Sequence, residues 1–243
     1  RFAALASALD ADSRFRSAFI WFYNKENEEH RLQKERRSFD VTLKELDAVR
    51  RAITLMFTDL TEPHIEIDPL RFVVTRNGEK INLANLSGGY KTLLGLVIDL
   101  AVRLATANPH LDDPLQAQAV VMIDEVDLHL HPQWQQRVVA DLLRVFPNTQ
   151  FIVSTHSPFI VEAINNHLKR HQISELPLDS AEIAEMLPID PRNVQAYLVA
   201  ESGDIEPLLD AESGLLDDKL LQYFNAISHV YDQMRDLEWE HQQ

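Results

Sequence analysis

Hydrophobic positions in the first sixty residues recur at helical spacing. The first series holds Phe15, Phe19, Phe22 and Tyr23, and the second extends from Leu43 to Phe57. Positions three or four apart share one face of a helix. We therefore predict two amphipathic helices in a helical arm or insertion that covers residues 1–62.

A strongly charged run separates these two series. Its basic members are Arg31, Lys34, Arg36 and Arg37, and they are interleaved with Glu26, Glu28, Glu29 and Glu35. The basic side chains could contact phosphates, but the interleaved acids favour a solvated helix face.

The periodicity changes after Pro63. Apolar and polar residues alternate in residues 64–68 and 71–75, as is typical of short strands. Asn77-Gly78 is a strong hairpin-turn signal, and residues 81–83 would form the strand that follows this turn. We predict a small β hairpin that leads into the segment at Ser87.

A helix follows Ser87, Gly88 and Gly89, and it is apolar on nearly every face. Free N–H groups at a glycine-rich helix start attract anions, and Ser87 and Lys91 would add a hydroxyl and a charge. The alternative is a serine N-cap with a simple glycine turn.

Two further apolar runs are typical of buried parallel strands. Residues 120–123 lead into Asp124 and Glu125, and residues 150–153 lead towards His156. Their strand–helix–strand order places both polar tips at the same edge of a sheet if the strands are neighbours.

These tips carry candidate chemistry. Asp124 suits Mg²⁺ and its waters, Glu125 suits the polarisation of an attacking water, and His156 suits the sensing of a phosphate. The alternatives are an acidic loop and a structural histidine. A structural metal at Asp127, His129 and His131 is a weaker hypothesis, because two histidines in a loop lack a further spaced ligand.

Composition narrows the function classes. The 243 residues carry a formal charge of −15, which argues against generic adhesion to nucleic acid. The absence of cysteine excludes disulfides and thiolate metal sites. We expect a cytoplasmic protein without a membrane span. None of the six glycines belongs to a G-x-x-x-x-G-K-[ST] phosphate loop. The segment that ends in Lys91-Thr92 imitates the end of such a loop, but it has Tyr90 where the loop requires a glycine before the lysine.

Three segments together resemble the second half of an ATP-binding-cassette ATPase head. Leu86–Lys91 resembles the signature motif, Val120–Glu125 resembles Walker B, and Ser154–Ser157 resembles the switch-histidine segment. The pattern is most similar to the structural-maintenance-of-chromosomes (SMC), RecF and overcoming-lysogenization-defect group, and within it to prokaryotic stand-alone AAA-family ATPases of antiphage defence.

The resemblance implies an α/β P-loop NTPase sheet, the C-terminal lobe of such a head, with its ATPase core at residues 63–171. It also implies the cofactors ATP and Mg²⁺, with Mg²⁺ held by Asp124 through water. Glu125 would orient the attacking water, and His156 would contact the γ-phosphate.

Other implied roles lie across a dimer interface. Ser87, Gly88 and Gly89, with the charge of Lys91, would reach the nucleotide of the opposite subunit. Asp127 belongs to the segment 126–131, which resembles the loop that crosses the interface.

The sequence departs from the family pattern at Tyr90, where glutamine or glutamate is commoner, and in lacking a Walker A loop. We expect ATP hydrolysis only when that loop comes from residues upstream or from another chain. The start at Arg1 favours the first source.

The acidic extension at residues 172–243 lies outside the three motifs. Residues 194–200 predict a strand, 201–204 a turn, and the stretch from Asp217 a long helix with an apolar seam from Leu220 to Met234. That seam would pack on residues 1–60 or on another protein.

We therefore expect ATP binding and hydrolysis that drive nucleotide-gated dimerisation of the head. The expected partners are a second copy in a homodimer or higher homo-oligomer, an effector protein of nuclease or toxin type, and double-stranded DNA. The alternative is an ATP-locked scaffold that cages an effector and hydrolyses ATP slowly.

Overall fold

The computed structural model describes residues 11–128, 130–200, 202–217, 229 and 233–235. Its fold class is mixed α/β, as predicted. The helices are α1 (Ala11–Arg36), α2 (Lys44–Met56), α3 (Gly88–Ala107), α4 (Pro132–Gln135), α5 (Val138–Val145), α6 (Pro158–Gln172) and α7 (Ala181–Glu185). The strands are β1 (Thr61–Ile67), β2 (Leu70–Arg76), β3 (Glu79–Asn82), β4 (Ala119–Ile123), β5 (Thr149–Val153), β6 (Tyr197–Val199) and β7 (Ile205–Pro207).

Backbone contacts divide the chain into two compact units. The first contains Arg1–His131 and Asp141–Ser154, and the second contains Pro132–Ala140 and Thr155–Gln243. The predicted domain boundaries after residues 62 and 171 stay predictions.

The first unit is built on the helices that the hydrophobic periodicity predicts. Helices α1 and α2 both pack against α3. Large apolar side chains that are fully buried in this core include Phe22, Leu46, Ile53, Leu94 and Ile98. The ring centroid of Phe22 also lies 4.6 Å from that of Phe72 in β2, so α1 is anchored to the sheet as well.

The expectation of a solvated helix face in the charged run is wrong for Glu26 and Glu29, which are 5% and 3% exposed. Arg50 of α2 donates to Glu29 at 2.8 Å and to Glu26 at 3.1 Å. The other oxygens of these carboxylates accept the backbone N–H groups of Leu43, at 2.9 Å, and Ile65, at 2.8 Å. Burial is tolerated because each carboxylate is paired and hydrogen-bonded.

The predicted hairpin is confirmed as part of a three-stranded antiparallel sheet in the order β1-β2-β3. Its β2–β3 turn is Asn77-Gly78, with φ of 52° and 81°. Asparagine and glycine are the residues that tolerate this left-handed conformation. The last strand of this sheet ends at Asn82, six residues before α3 begins at Gly88. The sheet therefore fixes the position of the first turn of α3.

Strands β4 and β5 pair in parallel, as the strand–helix–strand order predicts, with Ile123 opposite Val153. The expectation of a buried strand is wrong for one face, because Val120 and Met122 are 63% and 77% exposed. The reason is that β4 and β5 form a two-stranded sheet within the described residues, and no other element there covers this face.

The second unit is organised around α6. Its Asn165 side chain exchanges two hydrogen bonds with the backbone of Leu216, at 3.0 and 2.7 Å. The helix of the predicted strand–helix–strand order is present as two shorter helices, α4 and α5. No helix in the described part of the chain is long and apolar enough to cross a membrane.

The predicted C-terminal strand is confirmed as β6, which pairs with β7 in an antiparallel ladder. A turn with Gly203 at a φ of 87° joins them. The predicted apolar seam from Leu220 to Met234 lies outside the described residues, apart from the exposed Met234.

Neighbouring arginines of α2 give a matched test of the buried network. Arg50→Met leaves two buried carboxylates without their cation, so we expect a loss of about 3–5 kcal/mol in the free energy of unfolding. Arg51 pairs with Asp47 and Asp113 at a partly exposed position, so Arg51→Met should cost about 1 kcal/mol. Urea denaturation measures both. Equal losses would contradict a special role for Arg50.

Candidate functional site

Polar residues follow β4 and β5 at the same edge of their sheet. The parallel pairing continues past the strands, since Ser154 N–H donates to the carbonyl of Ile123 at 3.0 Å. The carbonyl of Ser154 then accepts from the N–H of Val126, also at 3.0 Å. Ser154 is therefore held by backbone bonds directly beside Asp124 and Glu125.

The hydroxyl of Ser154 joins both acidic residues. It donates to Oδ1 of Asp124 and accepts the backbone N–H of Glu125 at 2.8 Å. One hydroxyl can serve as donor and acceptor at once. It thus orients the Asp124 carboxylate and fixes the chain at Glu125. Sequence reasoning placed Ser154 in a motif but missed this role. The role could have been found from the parallel register of the two strands, which puts Ser154 beside Asp124.

Glu125 has a left-handed backbone, with a φ of 49°. Few residues other than glycine adopt this conformation, and it typically costs about 1–3 kcal/mol when the surroundings impose it. The chain turns at once, since Leu128 N–H donates to the carbonyl of Glu125 at 2.9 Å. Both carboxylate residues remain exposed to solvent, so they are accessible to a ligand.

The residues at this tip fit a magnesium ion better than a metal held by protein ligands alone. Within the described ranges, no group of three or more His, Asp or Glu could hold a metal. Mg²⁺ is usually bound through one or two carboxylates, with water and substrate phosphates completing the shell. Asp124, oriented by Ser154, supplies such a carboxylate.

His156 lies in the segment between β5 and α6 and is exposed. The next residue, Ser157, caps α6 by accepting the N–H of Phe159 at 3.2 Å, and it donates to Gln135 at 2.6 Å. Its own N–H donates to Thr155 at 3.0 Å. The backbone on both sides of His156 is therefore held. His156 belongs to the second unit, and its proximity to Glu125 stays a prediction.

Helix α3 begins immediately after Ser87, as predicted, and Lys91 N–H donates to the Ser87 carbonyl at 3.0 Å. Ser87 occupies the N-cap position, but its hydroxyl makes no capping hydrogen bond. The simple N-cap interpretation therefore does not account for its side chain. Ser87, Gly88 and Lys91 are exposed, and Gly89 is half-buried.

Within the part of the chain that the structure describes, no neighbouring atom requires a glycine at position 88. Its φ is not in the left-handed region, and an added Cβ would meet nothing within 4 Å. Omitting the side chain leaves the backbone N–H groups of the helix start open to close approach. The turn Ser87–Gly89 therefore suits an anion that arrives from outside the unit.

The remaining predicted residues lie in the loop after β4. Asp127 is half-buried, and its carbonyl accepts from the N–H of Leu130 at 3.0 Å. His131 is exposed, and His129 lies outside the described residues. The hypothesis of a structural metal in this loop stays a prediction.

Residues 3–162 match the sequence profile of the family described as "AAA domain, putative AbiEii toxin, Type IV TA system". The chain belongs to this family. The match contains the signature-like turn, both strand tips and His156, so the family resemblance inferred from these motifs is confirmed.

Individual relatives agree with this membership. Over 125 residues the chain is 42% identical to "Retron Vc95 probable ATPase" of Vibrio cholerae serotype O1 biovar El Tor, covering 51% of this chain and 24% of that protein. Over 128 residues it is 38% identical to "Retron Ec83 probable ATPase" of Escherichia coli, covering 53% and 24%. The matched region thus spans about a quarter of the length of these curated relatives.

Among solved structures, the SMC head domain from Thermotoga maritima is 28% identical. The alignment covers 48% of this chain and 39% of that chain, with a TM-score of 0.34.

Substitution of Ser154 tests the bond that joins the two strand tips. In Ser154→Ala, the Glu125 amide loses its acceptor, so its hydrogen exchange should accelerate about five- to tenfold, as expected for a bond worth about 1 kcal/mol. The Val126 amide, which donates to a backbone carbonyl, should keep its protection. NMR-detected exchange measures both.

Ser154→Thr retains the hydroxyl and is the control, with the Glu125 amide protected as in the parent protein. Unchanged exchange of Glu125 in the alanine variant would contradict the bond.

Proposed function

We propose that the chain is part of an ATPase head that binds and hydrolyses ATP and dimerises around the nucleotide. The observation that supports this most directly is the Ser154 hydroxyl, which binds Asp124 and the Glu125 amide at the tips of two parallel strands. Phosphoryl transfer depends mainly on positioning and on charge stabilisation. An oriented Asp124 carboxylate beside a fixed Glu125 backbone suits that requirement.

Each residue at the tips has a distinct proposed task. Glu125 orients the attacking water and accepts hydrogen bonds from it. Asp124 would hold Mg²⁺ through water, and the ion would supply positive charge against the phosphates. His156 contacts the γ-phosphate.

The turn Ser87–Gly89 acts on the nucleotide of the opposite subunit. Its exposed N–H groups and the Ser87 hydroxyl cap the γ-phosphate, and Lys91 adds positive charge. The loop that contains Asp127 crosses the interface. Two nucleotides are then enclosed between two heads, and hydrolysis allows the two heads to separate.

ATP binding needs a phosphate-binding loop that residues 1–243 do not contain. In the proposed function, polypeptide beyond these residues, in the same chain or in another, supplies the loop that cradles the α- and β-phosphates.

The biological setting that we propose is an antiphage-defence complex in which the head controls a nuclease or toxin. Support comes from the two relatives that are named as retron "probable ATPase" proteins. Double-stranded DNA is a further proposed partner, as a regulator of turnover.

A second candidate is an ATP-locked scaffold that cages its effector and hydrolyses ATP slowly. The net charge of −15 favours it, because an acidic surface can hold a basic partner by charge complementarity. The two candidates differ in turnover, which is essential in the first and incidental in the second.

The chain of residues 1–243 alone should hydrolyse no ATP above background, because nothing in it cradles the α- and β-phosphates. Addition of the polypeptide that carries the loop should produce Mg²⁺-dependent turnover, measured as phosphate release. Turnover by the isolated chain would refute the proposed division of the site.

Glu125→Gln tests the role of the carboxylate in the complete ATPase. The substitution keeps the side chain's size but removes the acceptor that polarises water, so we expect ATP binding to persist while turnover falls at least about a hundredfold. ATP should then trap the dimer, as measured by analytical ultracentrifugation. Turnover near the parent rate would exclude Glu125 as the residue that orients water.

A further inference from the structure

The residue that follows the signature-like glycines makes extensive contacts within its own unit. Tyr90 lies in the first turn of α3, and its ring stacks on Phe57 with centroids 5.6 Å apart and an interplanar angle of 25°. Its hydroxyl donates to Oδ2 of Asp59 at 2.9 Å. The first turn of α3 is therefore attached to the end of α2 and to the loop after it.

Arg76 completes this arrangement. Its guanidinium carbon lies 5.3 Å from the centroid of the Tyr90 ring, on which it stacks as a cation. Its Nε lies 2.9 Å from the Asp59 carboxylate, and one terminal nitrogen donates to the Tyr90 hydroxyl at 3.4 Å. Tyr90, Asp59 and Arg76 thus contact one another pairwise, and we call these three residues the Tyr90 cluster.

The Tyr90 cluster and Phe57, on which the Tyr90 ring stacks, belong to elements that are distant in sequence. Phe57 is the C-cap of α2, Asp59 precedes β1, and Arg76 is the last residue of β2. The turn just before Tyr90 has weaker attachments of its own, since the Ser87 hydroxyl makes no cap and Gly88 has no side chain. Tyr90 therefore ties the first turn of α3, and with it the turn Ser87–Gly89, to the sheet.

We propose that Tyr90, with Arg76 and Asp59, is a positioning residue for the turn Ser87–Gly89 when that turn caps a nucleotide of the opposite subunit. This inference rests on the proposed function. It gives tyrosine at this position a task different from nucleotide contact, because its ring and hydroxyl are engaged by Phe57, Arg76 and Asp59.

A positioning role predicts a specific pattern of effects. The turn acts in trans, so loss of the cluster should weaken ATP-dependent dimerisation and leave ATP binding by the separate subunit unchanged. A defect of folding would instead lower both, together with the melting temperature.

The experiment uses the complete ATPase that contains these residues, in a Glu125→Gln background in which ATP traps the dimer. Tyr90→Leu removes the ring and the hydroxyl, Tyr90→Phe removes the hydroxyl alone, and Arg76→Gln removes the stacked cation. The control is Arg71→Gln, because Arg71 lies in the same strand, pairs with Glu66 and has a similarly exposed side chain, 40% against 39% for Arg76.

Sedimentation over a range of protein concentrations gives the dimer dissociation constant in saturating ATP. We expect increases of about tenfold for Tyr90→Leu and Arg76→Gln, which correspond to about 1.4 kcal/mol. Tyr90→Phe should give about threefold, and Arg71→Gln should stay within about twofold of the parent. ATP affinity measured at concentrations where the subunits are separate should not change.

Dimerisation of Tyr90→Leu and Arg76→Gln at the parent strength would overturn the positioning role and leave the proposed function intact. Weaker ATP binding by their separate subunits would overturn it as well, because the cluster would then act on the subunit as a whole. Failure of the Glu125→Gln parent to dimerise with ATP would overturn the proposed function and this inference together.

Discussion

The candidate site depends on the register of two parallel strands. With Ile123 opposite Val153, the first polar residues after each strand meet, and the Ser154 hydroxyl reaches both Asp124 and the Glu125 amide. A slip of one residue would turn Ser154 to the other face of the sheet, since side chains alternate along a strand. The chemistry of the tips is therefore determined by backbone pairing, and the acidic residues alone would not create it.

A second constraint supports the helical part of the first unit. Arg50 pairs with two buried carboxylates, and those carboxylates also accept hydrogen bonds from backbone N–H groups at the start of α2 and in β1. This arrangement links three elements through directional bonds, whereas apolar contacts alone would allow them to slide. Helix α3 packs on both α1 and α2, so the bonds that hold those two helices also support α3.

Much of this architecture could be predicted from local patterns. Two apolar runs with polar ends predicted the adjacent strands β4 and β5, and the Ser87 segment predicted the start of α3. The burial of Glu26 and Glu29 could not be predicted, because a glutamate in a helix carries no sign of the arginine that a later helix will bring to it. The Tyr90 cluster was missed for the same reason, since its members are up to 31 positions apart.

The exposure of β4 was missed for a different reason. An apolar strand sequence indicates that a strand will be covered, but it does not identify the polypeptide that covers it. The β-branched and aliphatic residues predicted the element correctly, and the surroundings of that element lie outside the reach of a local pattern.

The exposed apolar face of the β4–β5 sheet has a consequence for how the protein folds during synthesis. Met122 and Val120 expose apolar area on a sheet that has two strands within the described residues, and two strands alone are only marginally stable in water. Surfaces of this kind favour aggregation until they are covered. A segment that closes over that face during synthesis would therefore stabilise the strand pair and protect it from aggregation.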